Sequence, residues 1–357
     1  MTSGPRVVIA GGGTGGHLYP GLALADALRG RGATVHFVGT TGGIEARVVP
    51  EAGYPLHALP GRQLRGGGLG RAALGVAAAA AGALRAHRLL GGLRPDLVVG
   101  VGGYASVAVV LAAAARRIPT ILQEQNVVPG AANRVLARFA RRICVGFAES
   151  ATFFPPGRAV HTGNPVRGDL VRPRPPRDRA GILVFGGSAG AHRLNEATVA
   201  ALEVLGPAAR TVEVLHQTGS ADLGVVRDRY AALGLPVRVE AFIADMGAAY
   251  AVADVVVGRA GAMTCAELTA VGLASILVPY PYAADDHQRR NAEVLVRAGA
   301  AEMIPDAELA GARLAERLHA LLDDAGRRAA MAARARELGR PDAAARVAEE
   351  CLRLAAA

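Results

Sequence analysis

A glycine-rich turn joins a short apolar run to a helical segment at two places in the chain. The first is VVIAGGGTGGHLYPGLALADAL (7–28), and the second is LVFGGSAGA (183–191), followed by HRLNEA. A strand that leads through glycines into a helix is the repeating unit of parallel sheets covered by helices. The same alternation continues through TVHFVG, DLVVGVG and PTILQEQ, and again through TVEVLHQTG and ADVVVGRAGAMTCAEL. The sequence therefore predicts an α/β protein.

The alternation of strands and helices restarts after a segment rich in proline and arginine. This segment, VRPRPPRDRA (171–180), suits neither a helix nor a central strand, and we interpret it as a linker. A chain of 357 residues is long enough for two domains. We therefore expect two doubly wound, Rossmann-like domains with a cleft between them, and mostly amphipathic helices after Asp306.

The positive charge lies in the first half of the chain. Residues 1–164 contain 17 arginines and 6 acidic residues, whereas residues 165–357 contain 23 arginines and 24 acidic residues. The first half therefore has a net charge of +11 and the second half a net charge of −1, which together give +10. This asymmetry suggests that the first half meets an anionic partner such as nucleic acid or an acidic membrane surface. The alternative is a solvated surface in a chain that uses arginine for every cation.

The sequence gives little indication of a targeting segment, a membrane span or a metal site. The N-terminus lacks the pattern of a signal peptide, and the uncharged run 97–115 is interpreted as strand, loop and helix because glycines interrupt it. Cys144, Cys265 and Cys351 match no metal-ligand or disulfide spacing. We expect a reducing compartment, no metal site and no cofactor.

The first turn, GGGTGG (11–16), satisfies the GxGxxG pattern of dinucleotide sites, so a nicotinamide-dependent oxidoreductase is one hypothesis. The next strand, however, ends in Thr40 and Thr41 where an acid should bind the ribose, and the nearest acid is Glu45. The glycines still let backbone N–H groups approach an oxyanion. His17 is either a packed or capping side chain or a general base facing the crevice.

The second half offers a matching phosphate turn with Ser188 as an extra donor, where a diphosphate leaving group could be stabilised without a metal. Farther on, Thr264 and Glu267 have the spacing of a capping box. The alternative is that Glu267 binds the two hydroxyls of a ribose. In DDHQRRNA (285–292), we prefer sugar recognition by Gln288 and Asn291 to a metal site.

A series of blocks resembles the MurG family of bacterial N-acetylglucosaminyltransferases. In chain order they are GGTGGHLYPGLALA, GGYAS, LQEQNVVPGAANRVLARFA, TGNPVR, FGGSAGAHRLNE, FIADM, RAGAMTCAEL and DDHQRRNA. The resemblance covers nearly the whole chain. It implies a GT-B fold in which residues 1–164 receive lipid I and face the membrane, and residues 165–340 bind UDP-GlcNAc. The helical segment 341–357 is expected to pack back on the N-terminal domain.

The resemblance also implies a function. The family transfers GlcNAc from UDP-GlcNAc to the 4-hydroxyl of MurNAc in undecaprenyl-diphospho-MurNAc-pentapeptide (lipid I), with inversion, and so gives lipid II. The expected setting is peptidoglycan synthesis, and with it cell wall biogenesis, cell shape and cell division, as a peripheral protein at the cytoplasmic face of the cell membrane. The expected partners are UDP-GlcNAc, lipid I and an anionic membrane surface, with no nucleic acid. RAALGVAAAAAGALRAHR (71–88) is either a peripheral membrane contact or an ordinary buried helix.

The site residues follow by matching motif. His17 is the first candidate for the base, with a phosphate contact or a loop-shaping role as alternatives, and Glu124 is the second candidate. Tyr104 lies in an acceptor-side loop. The residues implied for the donor are Thr14, Gly15, Gly16 and Asn126 on the sugar side, Arg167 and Ser188 at the diphosphate, Ile243 at the uracil, Ala262, Met263 and Thr264 in the turn over the nucleotide, Glu267 at the ribose, and Gln288 and Asn291 at the sugar hydroxyls.

Two departures from the family pattern limit how far residue roles can be assigned from the resemblance. Ala189 stands where many members have glutamine, and Tyr282 and Ala283 stand where a histidine is common. A related GT-B transferase with another UDP-sugar or lipid acceptor therefore stays open as the main alternative, and the oxidoreductase as a distant one.

Overall fold

The computed structural model describes residues 4–59, 69–187 and 190–356, and for residues 69–80 and Tyr104 it describes the backbone alone. The chain forms two compact units. Unit 1 comprises residues 1–167 together with 342–357, and unit 2 comprises residues 168–341. Arg167 therefore belongs to unit 1, whereas the sequence assigns it to the start of the second domain. The expected linker, residues 171–180, contains no helix or strand.

Unit 1 is built on a parallel sheet of seven strands in the order β3-β2-β1-β4-β5-β6-β7. The strands are β1 (Arg6–Ala10), β2 (Thr34–Thr40), β3 (Leu56–Leu59), β4 (Leu97–Gly100), β5 (Thr120–Glu124), β6 (Arg142–Val145) and β7 (Ala159–His161). The helices are α1 (Gly15–Arg29), α2 (Glu45–Glu51), α3 (Leu69–Leu93), α4 (Tyr104–Ala115), α5 (Ala131–Leu136) and, from the end of the chain, α13 (Ala343–Ala355).

Helices cover both faces of this sheet. On one face, Ile9 of β1 packs in a core that includes side chains of α1 and, from α13, Val347 and Cys351. On the other face, Val8 packs with side chains of α3, α4 and α5. The sequences of the central strands are continuous apolar runs because a parallel sheet covered by helices buries both of its faces. The C-terminal helix is thus part of the core of unit 1.

Unit 2 contains a parallel sheet of six strands in the order β10-β9-β8-β11-β12-β13. The strands are β8 (Gly181–Phe185), β9 (Glu213–Gln217), β10 (Val237–Glu240), β11 (Val255–Gly258), β12 (Ala274–Leu277) and β13 (Glu302–Met303). The helices are α6 (His192–Leu205), α7 (Leu223–Ala232), α8 (Met246–Ala251), α9 (Ala262–Val271), α10 (His287–Arg297), α11 (Gly311–Asp323) and α12 (Ala325–Leu338).

Both sheets reverse their strand order at a central strand, and this places the two glycine turns. In unit 1 the reversal lies between β1 and β4, and in unit 2 it lies between β8 and β11. Open α/β sheets bind ligands at the carboxyl ends of the strands at such a point. Run 97–115 forms β4 and α4, as the sequence predicts. Among the described residues, no helix has the length and apolar character of a membrane span.

Candidate functional site

The first glycine turn connects β1 to α1 and places Thr14 beside His17. Thr14 has an extended backbone and immediately precedes the helix, but its side chain does not cap it. Instead, Thr14 Oγ1 lies 3.2 Å from His17 Nδ1. Gly15 and Gly16 form the first turn of α1. The Thr14 hydroxyl beside Nδ1 helps to fix the orientation of the His17 imidazole.

The loop after β4 packs closely against His17. Gly102 has φ of +101°, and a Cβ at this position would lie 2.7 Å from His17 Cδ2 and 2.9 Å from His17 Nε2. Only glycine leaves room for the ring there. The loop also carries Gly103, after which α4 begins at Tyr104. The turns after β1 and β4 therefore meet around His17, as expected for the two central strands of the sheet.

A carboxylate to which the sequence assigns no site role supports the first turn. Glu45, at the start of α2, is completely buried. It accepts hydrogen bonds from Gly13 N at 2.8 Å and from Thr40 N and Oγ1 at 2.9 and 2.8 Å. Burial by itself raises the pKa of Glu45, but the bonds from Gly13, from Thr40 and from its own backbone N–H outweigh this effect and lower the pKa. The carboxylate is therefore ionised at neutral pH.

Glu124, the second candidate for the base, lies at the end of β5 and is 2% exposed. Its Oε1 accepts from Asn126 N and Nδ2 at 2.9 and 3.4 Å, and its Oε2 accepts from Gly130 N and Asn133 Nδ2 at 3.1 and 2.9 Å. Burial raises the pKa of Glu124, while these four N–H donors oppose the shift. The carboxylate thus organises the loop that carries Asn126, a role that the sequence does not indicate.

Arg167 is the last of the predicted site residues in unit 1. Its guanidinium lies over the ring of Tyr19, with its carbon 5.7 Å from the ring centroid. Tyr19 is two residues beyond His17 on α1, so Arg167 lies near the N-terminal turn of this helix. A cation in this position favours a negatively charged group on the substrate.

In unit 2, a buried glutamine connects two predicted parts of the donor site. Gln217, the last residue of β9, donates from Nε2 to the carbonyl of Gly187 at 2.9 Å and accepts from Ile243 N at 2.8 Å through Oε1. Gly187 belongs to the second glycine turn, whereas Ser188 and Ala189 lie outside the described residues. Gln217 is 3% exposed. It therefore fixes the spacing between the turn expected at the diphosphate and the backbone expected at the uracil.

The segment after β11 excludes the capping-box interpretation of Glu267. Helix α9 begins at Ala262, its N-cap is Gly261, and Thr264 lies within the first turn. The Glu267 carboxylate accepts a hydrogen bond from Tyr250 Oη at 2.8 Å through Oε2. Glu267 is half-buried, and Met263 and Thr264 are also partly exposed on this helix. Tyr250 thus orients the carboxylate that the family resemblance assigns to the ribose.

Helix α10 carries the last two predicted residues, and the structure separates their roles. Gln288 is half-buried and accepts from Tyr280 N at 2.9 Å through Oε1, at the end of β12. Asn291 is completely buried and donates to the carbonyl of Ala260 at 3.2 Å. Asn291 thereby connects α10 to the loop after β11, and Gln288 is the more accessible of the two. In the ranges described above, no three His, Cys, Asp or Glu side chains are arranged to hold a metal ion.

Similarity to known proteins agrees with this arrangement. Residues 7–145 match the glycosyltransferase family 28 N-terminal domain, and residues 181–347 match the glycosyltransferase family 28 C-terminal domain. A protein of Anaeromyxobacter sp. (strain Fw109-5) is 47% identical over 355 residues, which cover 98% of this chain and 93% of that protein. A protein of Myxococcus xanthus (strain DK1622) is 46% identical over the same coverage. Both are named "UDP-N-acetylglucosamine--N-acetylmuramyl-(pentapeptide) pyrophosphoryl-undecaprenol N-acetylglucosamine transferase".

A solved structure extends the similarity to three dimensions. The crystal structure of MurG from Acinetobacter baumannii superimposes with a TM-score of 0.81 at 31% identity, and the alignment covers 98% of this chain and 99% of that one. The likeness therefore includes both units.

Proposed function

The chain belongs to the MurG family of glycosyltransferases, and we propose that its two units divide the work of that family's reaction. Its fold is that of GT-B glycosyltransferases. It transfers N-acetylglucosamine from UDP-GlcNAc to undecaprenyl-diphospho-MurNAc-pentapeptide and gives lipid II for peptidoglycan synthesis. The observation that carries this assignment is the identity of 44–47% to transferases of that name over nearly the whole chain.

Unit 2 binds the donor in this proposal. Glu267, oriented by Tyr250, accepts hydrogen bonds from the two ribose hydroxyls, and the backbone at Ile243 meets the uracil. The turn that contains Gly187 holds the diphosphate at the N-terminal side of α6, and Ser188 is proposed as a further donor to it. The turn formed by Ala262, Met263 and Thr264 lies over the nucleotide, Gln288 contacts the sugar hydroxyls, and Asn291 supports this segment from within the core.

His17 of unit 1 is the proposed base. The 4-hydroxyl oxygen of MurNAc attacks the anomeric carbon of GlcNAc, the bond from that carbon to the diphosphate oxygen breaks, and UDP leaves with the electron pair. Nε2 of His17 takes the hydroxyl proton, while Thr14 holds Nδ1. Attack from the face opposite the leaving group inverts the anomeric configuration. Glu124 is less suited to this step, because both its oxygens accept N–H donors from one loop.

The other residues of unit 1 position the substrates. Thr14, Gly15 and Gly16 line the sugar side of the donor site, and Asn126 joins them on the loop that Glu124 organises. Arg167 interacts with the diphosphate of the donor. Tyr104, at the start of α4, lies on the acceptor side.

The exposed apolar side chains of unit 1 support a contact with the anionic cytoplasmic surface of the membrane. Val135 and Phe139 are 52% and 41% exposed, and they are flanked in the chain by Arg134 and Arg138. Apolar insertion and basic residues, at about 1 kcal/mol per residue near an anionic surface, act together in peripheral binding. We expect Phe139→Asp to reduce sedimentation with phosphatidylglycerol vesicles, and Val225→Asp, at an exposed position of unit 2, to leave it unchanged. Equal binding of both variants would contradict this contact.

The activity itself is tested by transfer of labelled GlcNAc from UDP-GlcNAc to a short-chain lipid I analogue in the presence of EDTA. Wild type should transfer, Glu267→Ala should lose donor binding, and His17→Ala should lower kcat by a factor of about 10²–10⁴ with little change in donor KM. Donor binding without transfer in the wild type would favour another acceptor. Loss of transfer on addition of EDTA would contradict the metal-independent mechanism.

A further inference from the structure

A chain of hydrogen-bonded polar side chains runs through the core of unit 2. His216 of β9, Tyr230 of α7 and Asn195 of α6 are all buried. His216 Nδ1 lies 2.9 Å from Tyr230 Oη, and His216 Nε2 lies 3.1 Å from Asn195 Oδ1. Asn195 Nδ2 donates to the carbonyl of Thr218 at 2.9 Å and to Asp222 Oδ2 at 2.7 Å. The reaction proposed above uses none of these side chains, although buried polar groups are costly unless they are paired.

The partners of His216 fix its protonation. Both contacts of Asn195 Nδ2 are with acceptors, so this atom is the amide nitrogen and Oδ1 is free to accept. His216 Nε2 therefore carries the hydrogen and donates to Asn195, and Nδ1 accepts from the Tyr230 hydroxyl. Burial lowers the pKa of His216 to about 3, although Asp222 opposes this shift. His216 is thus neutral at physiological pH and is held in a single tautomer.

The network of His216 ends at the backbone that supports the second glycine turn. Gly190 N–H donates to the Gly187 carbonyl at 3.0 Å and closes this turn. Gly190 has φ of +79°, and a Cβ there would lie 2.1 Å from the Thr218 carbonyl oxygen. The turn therefore packs directly against the carbonyl that the Asn195 amide holds. A movement of the Asn195 side chain would move this carbonyl and, with it, the turn.

The turn is supported at both of its ends from one strand. His216 and Gln217 are consecutive on β9, so their side chains lie on opposite faces of the sheet. Gln217 donates directly to the carbonyl of Gly187, at the first end of the turn. His216 instead reaches the second end, at Gly190, through Asn195. The first support is a direct contact, and the second depends on a buried histidine that is remote from the ligand.

We propose that His216 is a positioning residue for the donor diphosphate: its Nε2–H orients the Asn195 amide, and the amide holds the Thr218 carbonyl against which the second glycine turn packs. That this turn holds the diphosphate rests on the proposed function. His216 touches no substrate. It keeps the backbone N–H groups of the turn in the geometry that an anion needs. Loss of this support should weaken binding of the phosphates and leave binding of the uridine, expected at Ile243 and Glu267, unchanged.

The test compares two neutral amides at the same position, His216→Asn and His216→Gln. Each side chain replaces one nitrogen of the imidazole and loses one hydrogen bond of the network. The glutamine amide reaches the place of Nε2 and can still donate to Asn195, but it no longer accepts from Tyr230. The shorter asparagine reaches only the place of Nδ1, so it keeps the contact with Tyr230 and loses the donor to Asn195. His216→Gln is therefore the matched control.

The readout is the Kd for UDP, measured by calorimetry, and the Kd for uridine, measured by its displacement of UDP. We expect His216→Asn to raise the Kd for UDP about tenfold or more and to change the Kd for uridine less than about twofold, whereas His216→Gln should bind both ligands about as wild type does. Equal loss of both ligands in His216→Asn would indicate general damage and overturn the proposal. An unchanged Kd for UDP, or the same loss of UDP affinity in both variants, would also overturn it.

The binding measurements separate this inference from the proposed function. A wild type that binds UDP but fails to transfer GlcNAc would refute the proposed reaction and leave the comparison of the two variants intact. A wild type that does not bind UDP would refute both.

A measurement on the wild type decides the question if His216→Asn does not fold. His216 is completely buried, so the exchange of its Nε2–H with water can be followed by NMR. UDP and uridine are compared at equal fractional saturation, where both stabilise the fold against global unfolding to the same extent. Coupling between His216 and the turn requires UDP to slow this exchange at least several-fold more than uridine does. Equal protection by the two ligands would overturn the proposal.

Discussion

Substitution of Glu124 by glutamine distinguishes two possible roles of this residue, that of the general base and that of a positioning residue. Two N–H donors reach each oxygen of the carboxylate, from Asn126 on one side and from Gly130 and Asn133 on the other. In Glu124→Gln, one oxygen becomes an NH₂ group that faces two donors, so two hydrogen bonds are lost. Bonds to a charged group contribute about 1.5–3 kcal/mol each. Relief from burying the charge, which raises the pKa of Glu124, offsets part of this loss.

The segment from Asn126 to Asn133 should therefore be destabilised by about 2–3 kcal/mol in its free energy of local unfolding. Because 1.4 kcal/mol corresponds to a factor of ten, amide hydrogen exchange in this loop should become about 30–100 times faster in Glu124→Gln. Exchange in unit 2 should not change and serves as the internal control. We expect kcat for GlcNAc transfer to fall about tenfold or less, since Asn126 loses its support but the base remains.

The reasoning is refuted by the opposite pattern. If Glu124 were the base, removal of its charge would lower kcat by a factor of about 10²–10⁴ while exchange in the loop stayed as in wild type. A His17→Ala enzyme measured alongside provides the scale for loss of a base. Equal loss of kcat in the two variants, without faster exchange in Glu124→Gln, would assign the proton transfer to the carboxylate.

Two further predictions follow from hydrogen bonds and burial. Tyr250→Phe removes the hydroxyl that donates to Glu267, and a hydrogen bond to a charged acceptor contributes about 1.5–3 kcal/mol. The Kd for UDP, measured by calorimetry, should therefore rise about tenfold or more. An unchanged Kd would contradict the orienting role of Tyr250. Burial, the neighbouring His57 and then Arg6 lower the pKa of His36, so the unfolded chain binds protons more readily and stability is lost as pH falls through about 6.5. The melting temperature should therefore fall less between pH 7.5 and 5.5 in His36→Gln than in wild type, and identical pH profiles would refute this.

The sequence predicts the positions of the turns well because they depend on local patterns. A β-rich run, a glycine turn and an alanine-rich helix specify β1 and α1 within a few residues, and glycine interruptions correctly divide run 97–115 into β4 and α4. The capping-box alternative fails because the N-cap of α9 is Gly261, three residues before Thr264, and spacing alone does not fix this boundary.

The support beneath the turns could not be predicted from the sequence. Gln217 is 30 residues from Gly187 and 26 from Ile243, and the fold alone brings the three together. Its signal is limited to a polar residue at the end of an apolar strand. Glu45, at the start of α2, is a single acidic residue beyond the end of β2, and only the geometry shows how closely the nearby glycines surround its side chain. Long-range polar contacts of this kind leave no periodic pattern in the chain.

The position of Glu45 also explains why the GxGxxG pattern does not make this chain an oxidoreductase. A dinucleotide site needs an acid near the end of the second strand with its carboxylate turned outward to the ribose hydroxyls. The chain has an acid near that place, but its carboxylate points inward, is completely buried, and is bonded to Gly13 and Thr40. Release of the carboxylate toward a ribose would break three hydrogen bonds and leave a cavity among three glycines. Because the carboxylate of Glu45 is bonded inside the protein, it cannot bind the ribose hydroxyls, and the nicotinamide hypothesis fails at that binding requirement.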